Sequence, residues 1–91
     1  MSASVSIPTP LRQYAGGTKQ VDAEGATVGE VLAEVVRQHP ALRRHLFADT
    51  GELRGFVNVY LGPENVRDLD GERTGVASGA VLTIVPSIAG G

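Results

Sequence analysis

The chain has 91 residues, of which 42% are hydrophobic and 20% are charged, and this length is that of one domain with a core of its own. A formal net charge of -2 gives no electrostatic basis for binding nucleic acid or an anionic membrane. With no cysteine, disulfides, thiolate catalysis and cysteine-based metal sites are excluded, and a cytoplasmic location fits. No basic region followed by an apolar core predicts a secretory signal, and no apolar run approaches the ~20 residues needed to span a bilayer.

The first part of the chain predicts two paired strands. Val5 and Ile7 fall on one face of the alternating segment "ASVSI", which Pro8 closes. The Gly-Gly pair at 16–17 suits a hairpin turn because both residues tolerate positive φ. We therefore expect a second strand around 19–23 to return beside the first.

A helix is the clearest predicted element. Thr27 can cap its first turn, and Glu30 three residues later completes a capping box. An apolar stripe with the spacing i, i+3, i+4, i+7 and i+8 is formed by Val28, Val31, Leu32, Val35 and Val36. Pro40 ends the helix because the residue before a proline disfavours helical dihedrals. "ALRRHLF" is expected to add one or two turns, with Leu42 and Leu46 inward.

The second half predicts three more strands. "GFVNVYL" is one, with Val57, Val59 and Leu61 on one face and Phe56, Asn58 and Tyr60 on the other. One of these two sets must face away from the helix. After the turn "GPEN", the polar connection has room for a short edge strand near Val66 and a single turn near 74–77. "AVLTIVPSI" has apolar residues on both faces, which is typical of a strand in the middle of a sheet.

This order of elements predicts an α+β fold in which one helix covers one face of the sheet. We expect the first and last strands side by side in the centre, the first hairpin on one flank and the 57–61 strand on the other. That is the β-grasp, or ubiquitin-like, arrangement, with a mixed sheet of four to five strands and one main amphipathic helix. We predict a β-grasp domain over residues 1–86 and a flexible tail over residues 87–91.

The domain itself offers little for catalysis. His39 and His45 are not at a same-face helical spacing, and no third metal ligand is apparent. "DLDGE" lacks the later glycine and glutamate of a calcium loop, and "GGTK" lacks the spacing of a phosphate loop. Arg43, Arg44 and Arg54 are better explained as a solvated face than as a patch for an acidic partner. We therefore predict a carrier or adaptor with no metal and no cofactor of its own.

The ending "VPSIAGG" is the chemically distinctive segment. A carboxylate is an inert acyl donor, so another enzyme must convert it to an acyl-adenylate before a nucleophile can use it. Glycine has no Cβ and can pass through a narrow channel into that enzyme's nucleotide site. Main-chain hydrogen bonds can hold an extended tail, with Pro86 and Ile88 as side-chain anchors. Thiolate-type sulfur is a good nucleophile toward the activated acyl group at neutral pH.

"FVNVYLGPENVR", followed later by "VLTIVPSIAGG", resembles the MoaD/ThiS family of ubiquitin-like sulfur carriers, and the resemblance extends over essentially the whole chain. Within the family the chain is most similar to CysO-type carriers, which deliver sulfide for cysteine synthesis from an activated serine. The turn in "LGPEN" is a departure, because relatives often have Asn and Asp there. That departure bears on partner preference and leaves the chemistry of the ending untouched.

The resemblance implies that Gly91 carries an adenylate and then a thiocarboxylate. The residues implied to thread the ending into a partner are Ile88, Ala89 and Gly90. The implied partners are a ubiquitin-activating-like adenylyltransferase that uses ATP, a sulfur donor such as sulfide or a rhodanese-type protein, and a sulfur-accepting biosynthetic enzyme such as a PLP-dependent sulfhydrylase.

The expected partner-binding residues are Phe56, Tyr60 and Pro86. Ordinary packing is the alternative for the two aromatic residues, whereas an exposed apolar sheet face would mark the docking surface of the activating enzyme. Three other functions stay open. The chain could be the small subunit of molybdopterin synthase, a protein modifier joined to lysines through Gly91, or a plain β-grasp binding module.

Overall fold

A computed structural model describes residues 2–86, which form a sheet of five strands and two short α-helices. The strands are β1 (Ser2–Ser6), β2 (Gln20–Glu24), β3 (Val57–Leu61), β4 (Glu64–Asn65) and β5 (Val81–Pro86). Their order in the sheet is β2-β1-β5-β3-β4. β1 and β5 are parallel, and the other neighbouring pairs are antiparallel. The first and last strands therefore lie side by side in the centre, which confirms the predicted β-grasp arrangement.

The main helix, α1 (Val28–Gln38), packs on one face of the sheet through the predicted stripe, all five residues of which are buried. Its capping follows from the sequence, since Thr27 Oγ1 accepts a hydrogen bond from the Glu30 N–H at 3.2 Å. Glu30 Oε1 in turn accepts from the N–H of Ala26 at 3.0 Å. The short helix α2 (Arg43–Leu46) follows the predicted break at Pro40.

Alternation along the strands decides which residues enter the core. The strand residues buried on the α1 side are Ala3, Val5, Val21, Ala23, Val57, Val59, Leu82 and Ile84. Leu42 and Leu46 are also buried, as expected, and each large aliphatic side chain contributes about 1.5–3 kcal/mol when fully buried. Since Val57 and Val59 face α1, Asn58 and Tyr60 are on the other face, the outer face of the sheet.

The prediction of a tight hairpin between the first two strands is wrong, although β1 and β2 do pair antiparallel. The connection contains a 3-10 helix over Thr9–Ala15, which buries Leu11 and Ala15 against the core. Gly16 adopts φ 67° where this helix ends, so its conformational freedom serves a helix end instead of a two-residue turn.

The single turn expected near 74–77 lies earlier, as a 3-10 helix over Gly71–Arg73. Thr74 is instead buried and extended. Its carbonyl accepts a hydrogen bond from the N–H of Val28 at 2.9 Å, which gives a partner to one of the free donors at the start of α1. The predicted short edge strand is β4, two residues long, and a 3-10 helix over Val66–Asp68 follows it. Within residues 2–86 no helix is long and apolar enough to cross a membrane.

Candidate functional site

The site predicted at the end of the chain lies only partly within the described residues. Ile88, Ala89, Gly90 and Gly91 are outside them. Pro86 is the last described residue, and it is paired with Val57 at the start of β3. The described residues therefore end on a central strand, at the end of the sheet where β3 begins.

The geometry of β5 explains why proline fits at position 86. The N–H of Gly62 donates to the carbonyl of Val81, so hydrogen-bonded and non-hydrogen-bonded pairs alternate from there along β3 and β5. By this alternation Val57 and Pro86 form a non-hydrogen-bonded pair. The nitrogen of Pro86 thus faces the β1 side, where pairing with β1 has already ended at Ser6. Proline removes no ladder hydrogen bond at this position.

Four apolar residues are here called the apolar patch: Tyr60, Val81 and Val85 on the outer face of the sheet and Phe56 in the turn before β3, with Asn58 and Thr83 among them. Phe56 is 46% exposed, Val81 50% and Val85 41%, whereas Tyr60 is half-buried. Sequence reasoning singled out Phe56 and Tyr60 but missed both valines. The two-sided apolar pattern of β5 predicts a central strand, which is correct, but it does not show that the valines on the outer face are exposed. Among residues 2–86 nothing covers the patch, and exposed apolar clusters of this kind mark binding surfaces.

The other half of the outer face is polar. Ser4 on β1 donates to Asp22 Oδ1 on β2 at 3.1 Å, and the side-chain amide of Gln20 donates to Ser4 Oγ. These side chains satisfy one another across the two strands. The outer face is therefore divided into a polar half over β1 and β2 and a mixed half over β3 and β5, where exposed apolar residues alternate with Asn58 and Thr83.

The edge of the sheet at β2 is closed by side chains. The carbonyls of Gln20 and Asp22 point outward, since these residues are in non-hydrogen-bonded pairs with β1. Thr18 Oγ1 donates to the Gln20 carbonyl at 2.8 Å, and Gln38 Nε2 donates to the Asp22 carbonyl at 3.0 Å. Occupied edge carbonyls disfavour the addition of a partner strand, so binding through the outer face is favoured over binding through this edge.

Near the opposite edge, a polar network joins the outer face to the turn that precedes β3. Asn65 Nδ2 donates to Asn58 Oδ1 at 3.2 Å, and Asn65 Oδ1 accepts from the N–H of Arg67 at 3.0 Å. Arg67 Nη2 then donates to the carbonyls of Arg54 and Val57 at 2.9 and 2.8 Å. The resemblance to sulfur carriers includes Arg67, but no spacing in the sequence predicts these contacts.

The other candidate groups do not form a reactive centre among the described residues. His45 stacks on Tyr14, with ring centroids 4.0 Å apart, and its Nε2 is buried with no hydrogen-bond partner in residues 2–86. Burial lowers the pKa of His45, and the nearby Arg44 and Arg54 lower it further. Residues 2–86 contain no cluster of three His, Asp or Glu side chains that could hold a metal ion.

Comparison with known proteins yields consistent matches. The model of the ThiS family matches residues 5–91. The sulfur carrier protein CysO of Mycobacterium tuberculosis is 40% identical, and the alignment covers 100% of both chains. A chain in the crystal structure of the Amycolatopsis orientalis BexX/CysO complex superposes with a TM-score of 0.89 at 43% identity, covering 98% of this chain and 99% of that one. The crystal structure of SAMP1 from Haloferax volcanii superposes with a TM-score of 0.87 at 31% identity, covering 100% of both chains.

Proposed function

The chain belongs to the ThiS family, and on this premise we propose that it is a sulfur carrier whose Gly91 carboxylate is adenylated and then converted to a thiocarboxylate. The observation that carries the proposal is the full-length similarity to a protein named sulfur carrier protein CysO. The fold supports it as well. A compact β-grasp domain holds Pro86 at one end of a central strand, and the glycine-ended segment follows from that point.

The proposed loading reaction has two steps. A carboxylate oxygen of Gly91 attacks the α-phosphorus of ATP, which forms the acyl-adenylate and releases pyrophosphate. Sulfide then attacks the acyl carbon, and AMP leaves with the oxygen through which it was bound, so that the thiocarboxylate remains. ATP belongs to the activating enzyme, a ubiquitin-activating-like adenylyltransferase, and the carrier supplies no cofactor. The sulfur reaches the adenylate as sulfide, which needs no reductant. A rhodanese-type donor would instead attack through its persulfide and form an acyl disulfide, which a thiol then reduces to release the thiocarboxylate.

Unloading takes place in a sulfur-accepting biosynthetic enzyme of the cytoplasm. The thiocarboxylate sulfur takes the place of the activating group on the electrophilic carbon of the acceptor enzyme's substrate, such as an activated serine, so that a carbon–sulfur bond forms and the activating group leaves with the oxygen that bound it. Water then cleaves the bond between the Gly91 acyl group and the product, which restores the carboxylate. A PLP-dependent sulfhydrylase that makes cysteine is the acceptor enzyme that the similarity to CysO favours.

The apolar patch is the proposed docking surface for the adenylyltransferase. It adjoins Pro86, from which five further residues lead to Gly91. Five extended residues span at most about 18 Å, so an enzyme that covers the patch can hold Gly91 in a nucleotide site within that distance. The closed β2 edge and the polar half of the outer face leave the patch as the favoured surface.

Protein modification is a second candidate, favoured by the structural similarity to SAMP1, a small archaeal modifier protein. It shares the adenylation step, but the acyl group of Gly91 is passed to a lysine amine and forms an isopeptide bond. The two functions therefore differ in the nucleophile that uses the same activated carboxylate. Cells that accumulate isopeptide-linked conjugates and no thiocarboxylate would favour this candidate over the sulfur carrier.

Intact-mass measurement tests the proposal directly. The purified chain is incubated with the adenylyltransferase of the same organism, ATP and sulfide. We expect a mass increase equal to the replacement of one oxygen by one sulfur, and no such increase for a variant that lacks Gly91. Pyrophosphate release measured with the same enzyme separates a failed adenylation from a failed sulfur transfer. An unchanged wild-type mass, with an enzyme shown to adenylate another carrier, would contradict the sulfur-carrier function.

A further inference from the structure

The turn over residues 54–57 presents Phe56 at the start of β3. The N–H of Val57 donates to the carbonyl of Arg54 at 3.0 Å and closes the turn, so Phe56 occupies its third position. The start of the turn is fixed to α2, because the N–H of Arg54 donates to the Leu46 carbonyl at 2.9 Å. Phe56 itself is 46% exposed, so packing of its own ring does not determine where it lies.

Arg67 holds the same turn from the other side. Its Nη2 donates to the carbonyls of Val57 at 2.8 Å and Arg54 at 2.9 Å, and it lies 3.4 Å from that of Gly55. These three carbonyls belong to the residues immediately before and after Phe56, and the carbonyl of Phe56 is not among them. A planar, permanently charged guanidinium that binds two or three carbonyls restricts the turn more than any single neutral hydrogen bond would.

The guanidinium occupies a position that a longer edge strand would otherwise take. β4 ends at Asn65, after two residues, whereas β3 extends back to Val57. Val57 is in a non-hydrogen-bonded pair with Pro86, so its carbonyl points toward the β4 side of the sheet, beyond the end of β4. Arg67 donates a hydrogen bond to the Val57 carbonyl in place of a neighbouring strand. The start of β3 can therefore lack a strand partner on this side without leaving a carbonyl unpaired.

We propose that Arg67 is a positioning residue for the loading reaction. It fixes the turn that presents Phe56 beside Pro86, and thereby sets the affinity of the carrier for its adenylyltransferase, without taking part in the chemistry at Gly91. The inference rests on the proposed function, because it assumes that an adenylyltransferase covers the apolar patch. Asn65 supports the arrangement, since its side chain accepts the backbone N–H of Arg67.

Steady-state kinetics of adenylation test the proposal, with pyrophosphate release measured as a function of carrier concentration. Arg67→Ala is expected to raise the KM for the carrier about ten-fold and to change kcat less than two-fold, because a docking contact weakens while the reacting carboxylate is untouched. Arg37→Ala is the matched control. It removes an exposed arginine that pairs with Glu34 on α1, on the opposite face of the sheet, and should leave both constants unchanged.

A double-mutant cycle distinguishes positioning from a direct contact. If Arg67 acts through Phe56, Phe56→Ala and the double variant Phe56→Ala/Arg67→Ala have the same KM within about two-fold. If the increases in KM caused by the two substitutions multiply in the double variant, the proposal is overturned, since Arg67 would then contact the enzyme independently of Phe56. If Arg67→Ala does not fold, Arg67→Lys takes its place in the cycle. Lysine retains the charge but lacks the planar guanidinium that contacts two carbonyls at once, so unchanged constants would show that charge alone matters and would also overturn the proposal.

Hydrogen exchange adds a readout that does not depend on the enzyme. The amide of Val57 closes the turn, and we expect it to exchange at least about ten-fold faster in Arg67→Ala, while the amides of α1 keep their protection. Equal exchange of the Val57 amide in both proteins would contradict the proposal. The proposed function is tested separately. If the adenylyltransferase releases no pyrophosphate from ATP in the presence of the wild-type chain, the function is refuted, whatever the exchange shows.

Discussion

Asn65 joins Asn58 to Arg67 through the two ends of one amide. Its Nδ2 donates to Asn58 Oδ1 at 3.2 Å, and its Oδ1 accepts the N–H of Arg67 at 3.0 Å. The second bond caps the 3-10 helix over Val66–Asp68, and the first fixes the amide on the outer face of the sheet. The Asn65 side chain thus connects the end of β4 to Arg67, whose guanidinium binds the carbonyls of the turn before β3.

Substitutions at Asn65 should separate these two bonds. Asn65→Asp keeps an oxygen for the Arg67 N–H and loses the donor to Asn58, whereas Asn65→Ala loses both. We expect Asn65→Ala to lower the free energy of unfolding by about 1–2 kcal/mol and Asn65→Asp to lower it by less than about 1 kcal/mol. Urea unfolding followed by circular dichroism measures both. Equal losses in the two variants would show that the cap is not the important bond.

The apolar patch should be more sensitive to charge than the polar half of the same face. Val85→Asp places a carboxylate within the patch and is expected to weaken binding of the proposed adenylyltransferase at least about ten-fold. Gln20→Glu adds the same charge over β2 and is expected to change the affinity less than about three-fold. Titration calorimetry with both variants provides the comparison. Similar losses for both would indicate net charge, and not the patch, as the determinant.

Two neighbouring residues of β5 should differ strongly in their effect on stability. Leu82 is buried in the core, whereas Val81 is half exposed on the outer face. Leu82→Ala should lower the free energy of unfolding by about 2–5 kcal/mol, because a cavity is left in the core. Val81→Ala should lower it by less than about 1 kcal/mol. Urea unfolding of both variants, with equal m-values, tests the assignment of the two faces.

Much of this fold could be predicted because local pattern and burial agree. The stripe from Val28 to Val36 and the alternation of Val57 and Val59 each specify a face that must be buried, and the structure buries both. The two-sided apolar pattern of β5 correctly predicted a central strand but not the exposure of Val81 and Val85. Whether an apolar outer face is covered depends on a partner, and a single sequence carries no information about that.

The missed features depend on contacts between distant parts of the chain. The 3-10 helix over Thr9–Ala15 lacks a helical period of its own and forms because Leu11 and Ala15 are needed against the core. The contacts of Arg67 with the 54–57 turn span ten or more residues and end on backbone carbonyls. Any residue type supplies a carbonyl, so no pattern of side chains indicates which one an arginine binds.

A close approach of the backbone to α1 predicts a strict need for glycine at position 25. A Cβ on Gly25 would lie 2.7 Å from the nitrogen of Val31 and 2.9 Å from the carbonyl carbon of Glu30. Because these atoms belong to the backbone of α1, Gly25→Ala should force the first turn of the helix to move, with a loss of about 1–3 kcal/mol in stability. Gly75→Ala meets nothing within 4 Å and is expected to change stability by less than about 1 kcal/mol.

The stack of His45 on Tyr14 predicts a dependence of stability on pH. It connects α2 to the 3-10 helix that follows β1. Burial, and then the charges of Arg44 and Arg54, lower the pKa of His45 from its ordinary value of 6.5. The folded state therefore favours the neutral imidazole, and between the lowered pKa and 6.5 the unfolded chain binds more protons than the folded one. The free energy of unfolding should be highest above about pH 6.5 and should fall as the pH is lowered through this window.

Replacement of His45 isolates its share of this dependence. In His45→Phe the stack with Tyr14 can persist while the titrating group is lost, so the variant should have a smaller decrease in stability between pH 7 and pH 5. His39→Gln removes the other histidine and leaves the stack intact, and it should retain the wild-type slope. Urea unfolding of all three proteins at pH 5, 6 and 7 measures the slopes. If His45→Phe keeps the wild-type slope, the pH dependence does not come from the stack and the prediction is wrong.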